Sequence, residues 1–223
     1  PASPAEMVDQ TLTMVTSRSK DRVLQSLLRS QPVKNALIFC NRKRDVDALS
    51  KSLKSKGFDA LALHGDMQQS YRMQTLEKFK NNEVKILVCS DVAARGLDIK
   101  NLDAVFNYAL PKQAEVYVHR IGRTARAGAE GDAISFCCAE DRAYLREIER
   151  FLGKPVPAEM EHAYHCDDAF RSSQPAPRNF GRGGGGGGRG GGGRRPEGRS
   201  QGRHSHGGRS QGGSSQRDFS RSR

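Results

Sequence analysis

The chain has 223 residues and a formal net charge of +12, and its composition divides it into two unequal parts. Residues 1–170 hold 25 Lys or Arg against 23 Asp or Glu, whereas residues 171–223 hold 12 Arg, two acidic residues and 17 of the 24 glycines. No apolar run approaches the roughly 18 residues that span a bilayer, and no signal-peptide pattern is present. We therefore expect no membrane partner.

The cysteines set a further limit on the kinds of site to expect. Their spacing shows no metal-binding pairs; the five are Cys40, Cys89, Cys137, Cys138 and Cys166. The first four lie in apolar, strand-like runs, where thiols are usually buried and reduced. We expect no metal site and a reducing, cytoplasmic compartment. Because the chain opens with Pro1 and not with Met, we also expect a piece of a longer protein.

Strand-like and helical runs alternate along the first part of the chain. The predicted elements, in chain order, are strand 10–16, helix 21–30, strand 36–40, helix 44–56, strand 60–63, helix 69–80, strands 85–89 and 104–108, helix 113–124, strand 133–138 and helix 141–152. In the helix over 69–80, Met73, Leu76 and Phe79 are predicted to face inward. This alternation predicts an α/β fold with a parallel sheet covered by helices on both faces.

A composition change predicts the domain organisation. Residues 1–160 form the predicted globular domain, which is long enough to bury a substantial core. Residues 161–223 form a predicted disordered tail, because its Gly183–Gly188 and Gly190–Gly193 runs carry high backbone entropy and offer little to bury. Arginines between the glycines, including Arg182, Arg189, Arg194 and Arg195, predict binding to nucleic acid that depends steeply on salt. The alternative for this segment is an inert solubilising tail.

The stretch from His119 to Arg126 concentrates positive charge. At about 100° per residue, Arg120, Arg123 and Arg126 span an arc of roughly 120° on the predicted helix, and His119 falls inside that arc. Tyr117 and other apolar residues fall on another side. Arginine stays protonated and forks onto phosphate or carboxylate, so we expect a polyanion or several carboxylates opposite this face.

Other unusual segments follow the predicted strands, where ligands of parallel sheets bind. Asn41 follows the strand 36–40. His64-Gly65-Asp66 follows the strand 60–63, and the amides that open the next helix predict an anion site. Ser90-Asp91 follows the strand 85–89 and leads through Arg95 and Gly96 to Asp98. For each residue taken singly, an ordinary helix cap or surface loop is the alternative.

These motifs resemble the second RecA-like domain of DEAD-box RNA helicases. Leu37 to Asn41 is similar to motif IV, and Gln69-Ser70-Tyr71-Arg72 to the QxxR element. Ser90 to Asp98 resembles motif V, and His119 to Arg126 resembles motif VI. The resemblance covers roughly residues 8–155, and the Gly/Arg-rich tail is similar to tails of bacterial and other family members.

The resemblance implies site residues. It implies that Gly96, Asp98, Arg123 and Arg126 contact ATP. It also implies that ATP and Mg²⁺ are bound mainly by an absent N-terminal domain. It implies catalytic roles for Arg123 and Arg126 as arginine fingers, and for His119 and Arg120 in coupling to the partner domain. It implies an RNA surface made by Asn41, Gly65, Asp66, Gln69, Arg72, Ser90, Asp91 and Arg95, with the tail arginines adding contacts.

One absence bears on activity. The sequence contains no Gly-x-x-x-x-Gly-Lys-Ser/Thr phosphate loop and no Asp-Glu-Ala-Asp run. We therefore predict the C-terminal half of an ATP-dependent RNA helicase, monomeric and inactive alone, whose partners are RNA and its own N-terminal RecA-like domain. Two alternatives stay open: an ATP-independent RNA-annealing module that acts through the tail, and a RecA-like domain kept as a protein-docking surface.

Overall fold

A single parallel sheet organises the part of the chain that the structure, a computed structural model, describes. That part comprises residues 8–30, 33–97, 99, 101–124, 131–160 and 164–171. Asp98, Arg126 and the tail arginines named above lie outside the described residues. The strands are β1 (Asp9–Met14), β2 (Ala36–Cys40), β3 (Ala60–Leu63), β4 (Ile86–Ser90), β5 (Ala104–Asn107), β6 (Asp132–Cys137) and β7 (Ala158–Glu159).

Helices connect the strands. Within the described residues they are α1 (Lys20–Ser30), α2 (Lys43–Ser55), α3 (Gln69–Lys80), α4 (Asp91–Ala94), α5 (Ala114–Ile121), α6 (Arg142–Leu152) and α7 (Asp167–Arg171), with a 3₁₀ turn over Ala139–Asp141. The sheet order is β3-β4-β2-β5-β6-β1-β7, and every pairing is parallel. The carboxyl ends of β4, β2 and β5 therefore lie side by side.

Alternate strand residues bury helices against opposite faces of the sheet. Ile38 and Val88 pack in one apolar cluster with α1 and α2, whereas Leu37 and Leu87 pack in another with α3. A third cluster joins β1 and β6 to α5 and α6. Successive side chains of a strand point to opposite faces, so strands that are apolar throughout need this double cover. The predicted α/β fold, a parallel sheet covered by helices on both faces, is confirmed.

Two details of the predicted elements are wrong. Met73 is 47% exposed, because the part of α3 that packs on the sheet is a narrow stripe of Thr75, Leu76 and Phe79. The predicted helix 113–124 ends at Ile121, because Gly122 follows as the C-cap and Leu102 bonds through its backbone N–H to the Arg123 carbonyl. Arg123 therefore leaves the helical arc on which its charge was predicted.

Packing continues beyond residue 160, where composition placed the end of the globular domain. The Cys166 N–H donates to the Met14 carbonyl at 3.1 Å, and Ala169 in α7 is buried against the cluster of β1 and α6. The short strand β7 pairs with β1 through Leu12 and Thr13. These segments are too short and too polar to give a periodic signal, so the sequence pattern did not predict that Cys166 and Ala169 pack on the sheet.

Burial of the thiols generates a prediction. Burial raises the pKa of Cys40 and Cys137 to about 12 and that of Cys138 to about 11, and it also raises the pKa of Cys89. Because the thiolate is the reactive form, these four should stay protonated and unreactive at pH 8. We expect a thiol reagent such as Ellman's to modify only the half-buried Cys166 quickly in the native chain and all five after denaturation. Fast reaction of several native thiols would contradict this burial.

Candidate nucleotide and nucleic-acid site

Polar residues end the three neighbouring central strands. Asn41 follows β2, Asp91 follows β4, and Asn107 ends β5. Their strands pair in register, Phe39 with Cys89 on one side and with Asn107 on the other. The carboxyl ends of parallel strands form the ligand-binding edge of such sheets. The structure therefore gathers these residues, distant in sequence, at one edge.

The guanidinium of Arg120 fills the space between the three strand ends. Arg120 is only 2% exposed, although it is charged. Its Nε and Nη2 donate to the two carboxylate oxygens of Asp91, each at 2.7 Å. Its Nη1 donates to Asn107 Oδ1 at 3.1 Å and to the Ala109 carbonyl at 2.7 Å, and Nη2 also donates to Asn41 Oδ1 at 2.9 Å. All five N–H groups of an arginine are thus engaged.

This burial corrects the prediction for Arg120. It does not lie on an exposed basic face, and its carbon stem brings the guanidinium within 4.9 Å of the Phe39 ring centroid. A buried charge is stable only when it is paired and hydrogen-bonded, and Asp91 supplies the pairing. The side chain therefore has no N–H left for a second protein domain. Through these bonds it joins the ends of β2, β4 and β5, and the coupling to a partner domain that the resemblance implies stays a prediction.

Asn41 and Asp91 are correspondingly engaged inside the chain. The Asn41 amide accepts from Arg120 and donates through Nδ2 to the Leu110 carbonyl at 2.8 Å. Both carboxylate oxygens of Asp91 accept from Arg120. The Asn41 amide thus uses two of the four hydrogen bonds that it can make, and RNA contacts at Asn41 and the partly exposed Asp91 stay predictions.

A cleft of about 470 Å³ opens beside this network. Its lining includes Phe39 and Val116. It also includes Arg95 from the stretch 90–98, and His119 and Arg123 from the stretch 119–126. Among the described residues, the Arg95 and His119 side chains have no hydrogen-bond or ion-pair partner, and Arg123 donates from Nη1 to the Leu97 carbonyl at 2.8 Å. The cleft therefore carries positive charge that is not neutralised within the described part of the chain, and it suits an anion.

Only part of the predicted ATP set can be compared with this cleft. Gly96, which follows the lining residue Arg95, has a φ of +77°, which is the left-handed region that favours glycine. Its turn directs the chain away from α4 and toward Leu97, whose carbonyl anchors Arg123. Asp98 and Arg126 lie outside the described residues, so their assignments stay predictions. The Ser90 hydroxyl, at the end of β4, has no hydrogen-bond partner among the described residues.

The segment between β3 and α3 forms a second group of predicted residues. Gln69 and Arg72 lie on one face of α3, and Arg72 Nη1 is 3.4 Å from Gln69 Oε1. Asp66 forms an exposed ion pair with Lys43, and the hydrogen bond from Lys43 lowers the pKa of the Asp66 carboxyl. A Cβ added at Gly65 would meet nothing within 4 Å. The chain itself therefore imposes no steric need for glycine there.

Some residues of the site escaped the sequence-based prediction. Asn107 is fully buried at the end of β5, where a polar residue closing the apolar run Ala-Val-Phe was the available signal. Lys43 is a second such residue, since nothing in the sequence showed its ion pair with Asp66. In the described ranges, no three His, Cys, Asp or Glu side chains cluster as metal ligands. None of the helices described is both long and apolar enough to cross a membrane.

Known proteins are similar to this chain in sequence and in fold. Residues 19–128 match the family model described as the helicase conserved C-terminal domain. The ATP-dependent RNA helicase CshA of Listeria monocytogenes is 46% identical over 150 residues, which are 67% of this chain and 29% of that relative. The chain spans less than a third of the length of the curated relatives that it matches.

Solved structures extend the similarity to the whole domain. The E. coli DEAD-box protein SrmB, bound to regulator of ribonuclease activity A, aligns with a TM-score of 0.64 at 32% identity. That alignment covers 77% of this chain and 98% of the other. Domain 2 of the DEAD-box helicase Mss116p, bound to an RNA duplex, aligns with a TM-score of 0.60 at 30% identity, covering 68% of this chain and 63% of the other.

The buried guanidinium generates a prediction of stability. Replacing Arg120 with alanine leaves Asp91 and three amide oxygens without their donor, and breaking a buried ion pair in this way costs about 3–5 kcal/mol of unfolding free energy. Arg123→Ala, which removes a half-buried arginine with one hydrogen bond, should cost only about 0.5–1.5 kcal/mol. Urea unfolding followed by circular dichroism measures both. Equal losses for the two variants would show that the Arg120 network does not hold the strand ends together.

Proposed function

Since this chain belongs to the DEAD-box helicase family, as its C-terminal RecA-like domain, we propose that it forms the C-terminal half of an ATP-dependent RNA helicase. In this proposal an N-terminal RecA-like domain of the same protein binds the ATP phosphates and Mg²⁺. The chain itself has no phosphate-loop sequence, and its described residues offer no cluster of metal ligands. Alone it hydrolyses no ATP.

The observation that carries the proposal is the basic cleft beside the Arg120 network. Arg123 is half-buried there, with its Nη1 fixed to the Leu97 carbonyl and its other N–H groups without partners among the described residues. This arrangement fits a phosphate group, because one hydrogen bond limits the motion of the side chain while several donors stay available. When bound, ATP supplies the phosphoryl group whose transfer to water is the reaction.

Arg123 acts in this proposal as an arginine finger. Its permanent charge stabilises the negative charge that develops on the transferred phosphoryl group, and such fingers contribute about 10³–10⁵ in rate. Arg126 shares this role, and Asp98 contacts the ribose, by resemblance to the family motifs. His119 lines the same cleft and has an exposed ring, so it is available to contact the N-terminal domain or the nucleotide.

In this proposal, residues that follow β2, β3 and β4 contact the sugar-phosphate backbone of RNA. The space above Gly65 lets a sugar-phosphate backbone approach the main chain. Donors come from the Gln69–Arg72 pair and from the Ser90 hydroxyl, which has no hydrogen-bond partner in the described part of the chain. The exposed Arg95 adds positive charge on the side of the cleft. Such contacts position a strand without reading its sequence.

The Arg120 network connects the two proposed ligand sites. It fixes Asn41 and Asp91, at the RNA side, to α5, which leads through Gly122 to Arg123. A change in the position of the RNA-contacting strand ends therefore acts on the same short helix that positions the finger. The tail arginines Arg182, Arg189, Arg194 and Arg195 add salt-sensitive RNA contacts in this proposal.

The finger assignment predicts the effect of one substitution. In the full protein, with the N-terminal domain present, Arg123→Ala should lower RNA-stimulated ATP hydrolysis by about 10³-fold or more, because the transition state loses its charge partner. Arg150→Ala, which removes an exposed arginine of α6, should leave the rate unchanged. Phosphate release measured at saturating ATP and RNA decides between them.

Two results would contradict the proposal. An unchanged rate in Arg123→Ala would remove the finger assignment. RNA annealing by the chain without ATP, unaffected by Arg123→Ala, would favour the alternative of an annealing module that acts through the tail.

A glycine substitution separates RNA binding from folding. Gly65→Ala should leave thermal stability unchanged or raise it by about 0.4–1 kcal/mol, because no atom opposes the new Cβ and the unfolded chain loses freedom. It should weaken binding of single-stranded RNA about tenfold, the loss expected for one hydrogen bond to a charged phosphate. Fluorescence anisotropy and thermal unfolding measure the two effects.

The matched control has the opposite signature. Gly57 has a φ of +83°, so Gly57→Ala should cost about 1–2 kcal/mol of stability and leave RNA affinity unchanged. If Gly65→Ala bound RNA as tightly as the parent chain, close backbone approach at this position would be ruled out.

A further inference from the structure

A groove of about 480 Å³ follows the edge of the sheet, away from the cleft. The strand β3 is the outermost strand, with α2 on one face of the sheet and α3 on the other. Residues from all three elements line this sheet-edge groove, among them Lys51, Lys54, Leu61, His64, Met67 and Tyr71. No residue that the family motifs assign to ATP lines it.

The groove has an unbalanced positive charge. Lys51 and Lys54 are exposed, lie three residues apart on α2, and form no ion pair with any residue in the described ranges. Residues at this spacing are neighbours on a helix surface, with Cβ atoms about 5–6 Å apart. The acidic residue in the lining, Asp47, is already engaged, since its Oδ1 lies 3.0 Å from His64 Nε2. The two lysines therefore favour an anionic ligand.

An aromatic ring lies in the same groove. Tyr71 is 52% exposed, which is unusual for a large side chain with an apolar ring, and Met67 and Leu61 supply apolar surface beside it. Proteins that bind single-stranded nucleic acid without sequence preference combine two components. These are basic side chains that contact phosphates and exposed aromatic rings on which bases stack. An acidic peptide would use the lysines but would leave the flat face of the ring without a matching partner.

The groove continues the proposed RNA surface. At about 100° per residue, Tyr71, Gln68, Arg72 and Gln69 occupy a continuous arc of roughly 160° at the start of α3, in that order. Tyr71 and Gln68 line the groove, and Gln69 and Arg72 belong to the RNA surface. A strand that contacts Arg72 can therefore reach Tyr71 without crossing another element of the fold.

We propose that the sheet-edge groove is a further subsite for single-stranded RNA, in which Lys51 and Lys54 contact phosphates and Tyr71 stacks on a base. It binds nucleotides of the same RNA strand, next to those that contact the proposed RNA surface at Gly65, Gln69 and Arg72. This inference rests on the proposed function in so far as RNA is the ligand. It extends the RNA footprint around the sheet edge, to a part of the domain that lies apart from the motif residues.

The charge component is tested with a double variant of the full chain. We expect Lys51→Ala/Lys54→Ala to lower the slope of log affinity against log salt by about 1.4, at about 0.7 per phosphate contact, for a fluorescein-labelled 20-nucleotide oligouridylate. The control is Lys78→Ala/Lys80→Ala, which removes two exposed lysines from the far end of α3, outside the groove. Every variant keeps the Gly/Arg-rich segment, so its contribution cancels between them.

The stacking component has its own matched series. Tyr71→Ala should weaken binding about fivefold or more, the smallest loss expected for one stacked base, whereas Tyr71→Phe should keep the affinity. Met73→Ala, which removes another exposed side chain of α3, should have no effect. Because all these side chains are exposed, thermal unfolding should be nearly the same for every variant.

Three outcomes separate this inference from the proposed function. If Lys51→Ala/Lys54→Ala behaves like the Lys78/Lys80 control and Tyr71→Ala like Met73→Ala, the groove is not an RNA subsite. Loss of RNA binding in Arg72→Ala would then still support the proposed function. Unchanged RNA affinity together with lysine-dependent binding of a labelled hexaglutamate peptide would overturn the RNA assignment in favour of an acidic protein partner.

Discussion

The contact on which the site depends is the pairing of one buried guanidinium with three strand ends. Arg120 donates five hydrogen bonds to groups that follow or end β2, β4 and β5, and Asp91 balances its charge. Removing this charge from water is costly unless every donor finds an acceptor. The strand ends must therefore stay in one arrangement. That arrangement defines the wall of the basic cleft and the position of the strand ends that are proposed to contact RNA.

The arginines of one short stretch have different environments because a glycine separates them. Arg120 belongs to the last turn of α5 and points into the fold, whereas Arg123 follows Gly122 and lies half-buried at the cleft. Arg120 thus forms hydrogen bonds within the fold, whereas Arg123 has donors available for the proposed ligand. The distinction depends on where the helix ends, and helix ends are set by the backbone bonds of Leu102 and Gly122.

Much of the fold followed from periodicity, and less of the site did. The bounds of β2, β3 and α3 match the sequence-based prediction residue for residue, because apolar runs and a helix of three turns give strong signals. The family and its RecA-like fold were also predicted. The burial of Arg120 could not be, since its acceptors come from segments up to 79 residues away. Asp98, Arg126 and the tail stay predictions.

The position of β1 has a consequence for how the domain is made. The first strand lies between β6 and β7, and its Asp9 pairs with Asp132. On the ribosome, β1 therefore emerges well before β6 and β7 and waits until most of this domain has been translated before it can pair with them. Long-range parallel pairing of this kind is slow and leaves apolar edges uncovered meanwhile. The nascent polypeptide thus has an interval in which chaperones can act, and its length is set by translation speed over roughly 120 codons.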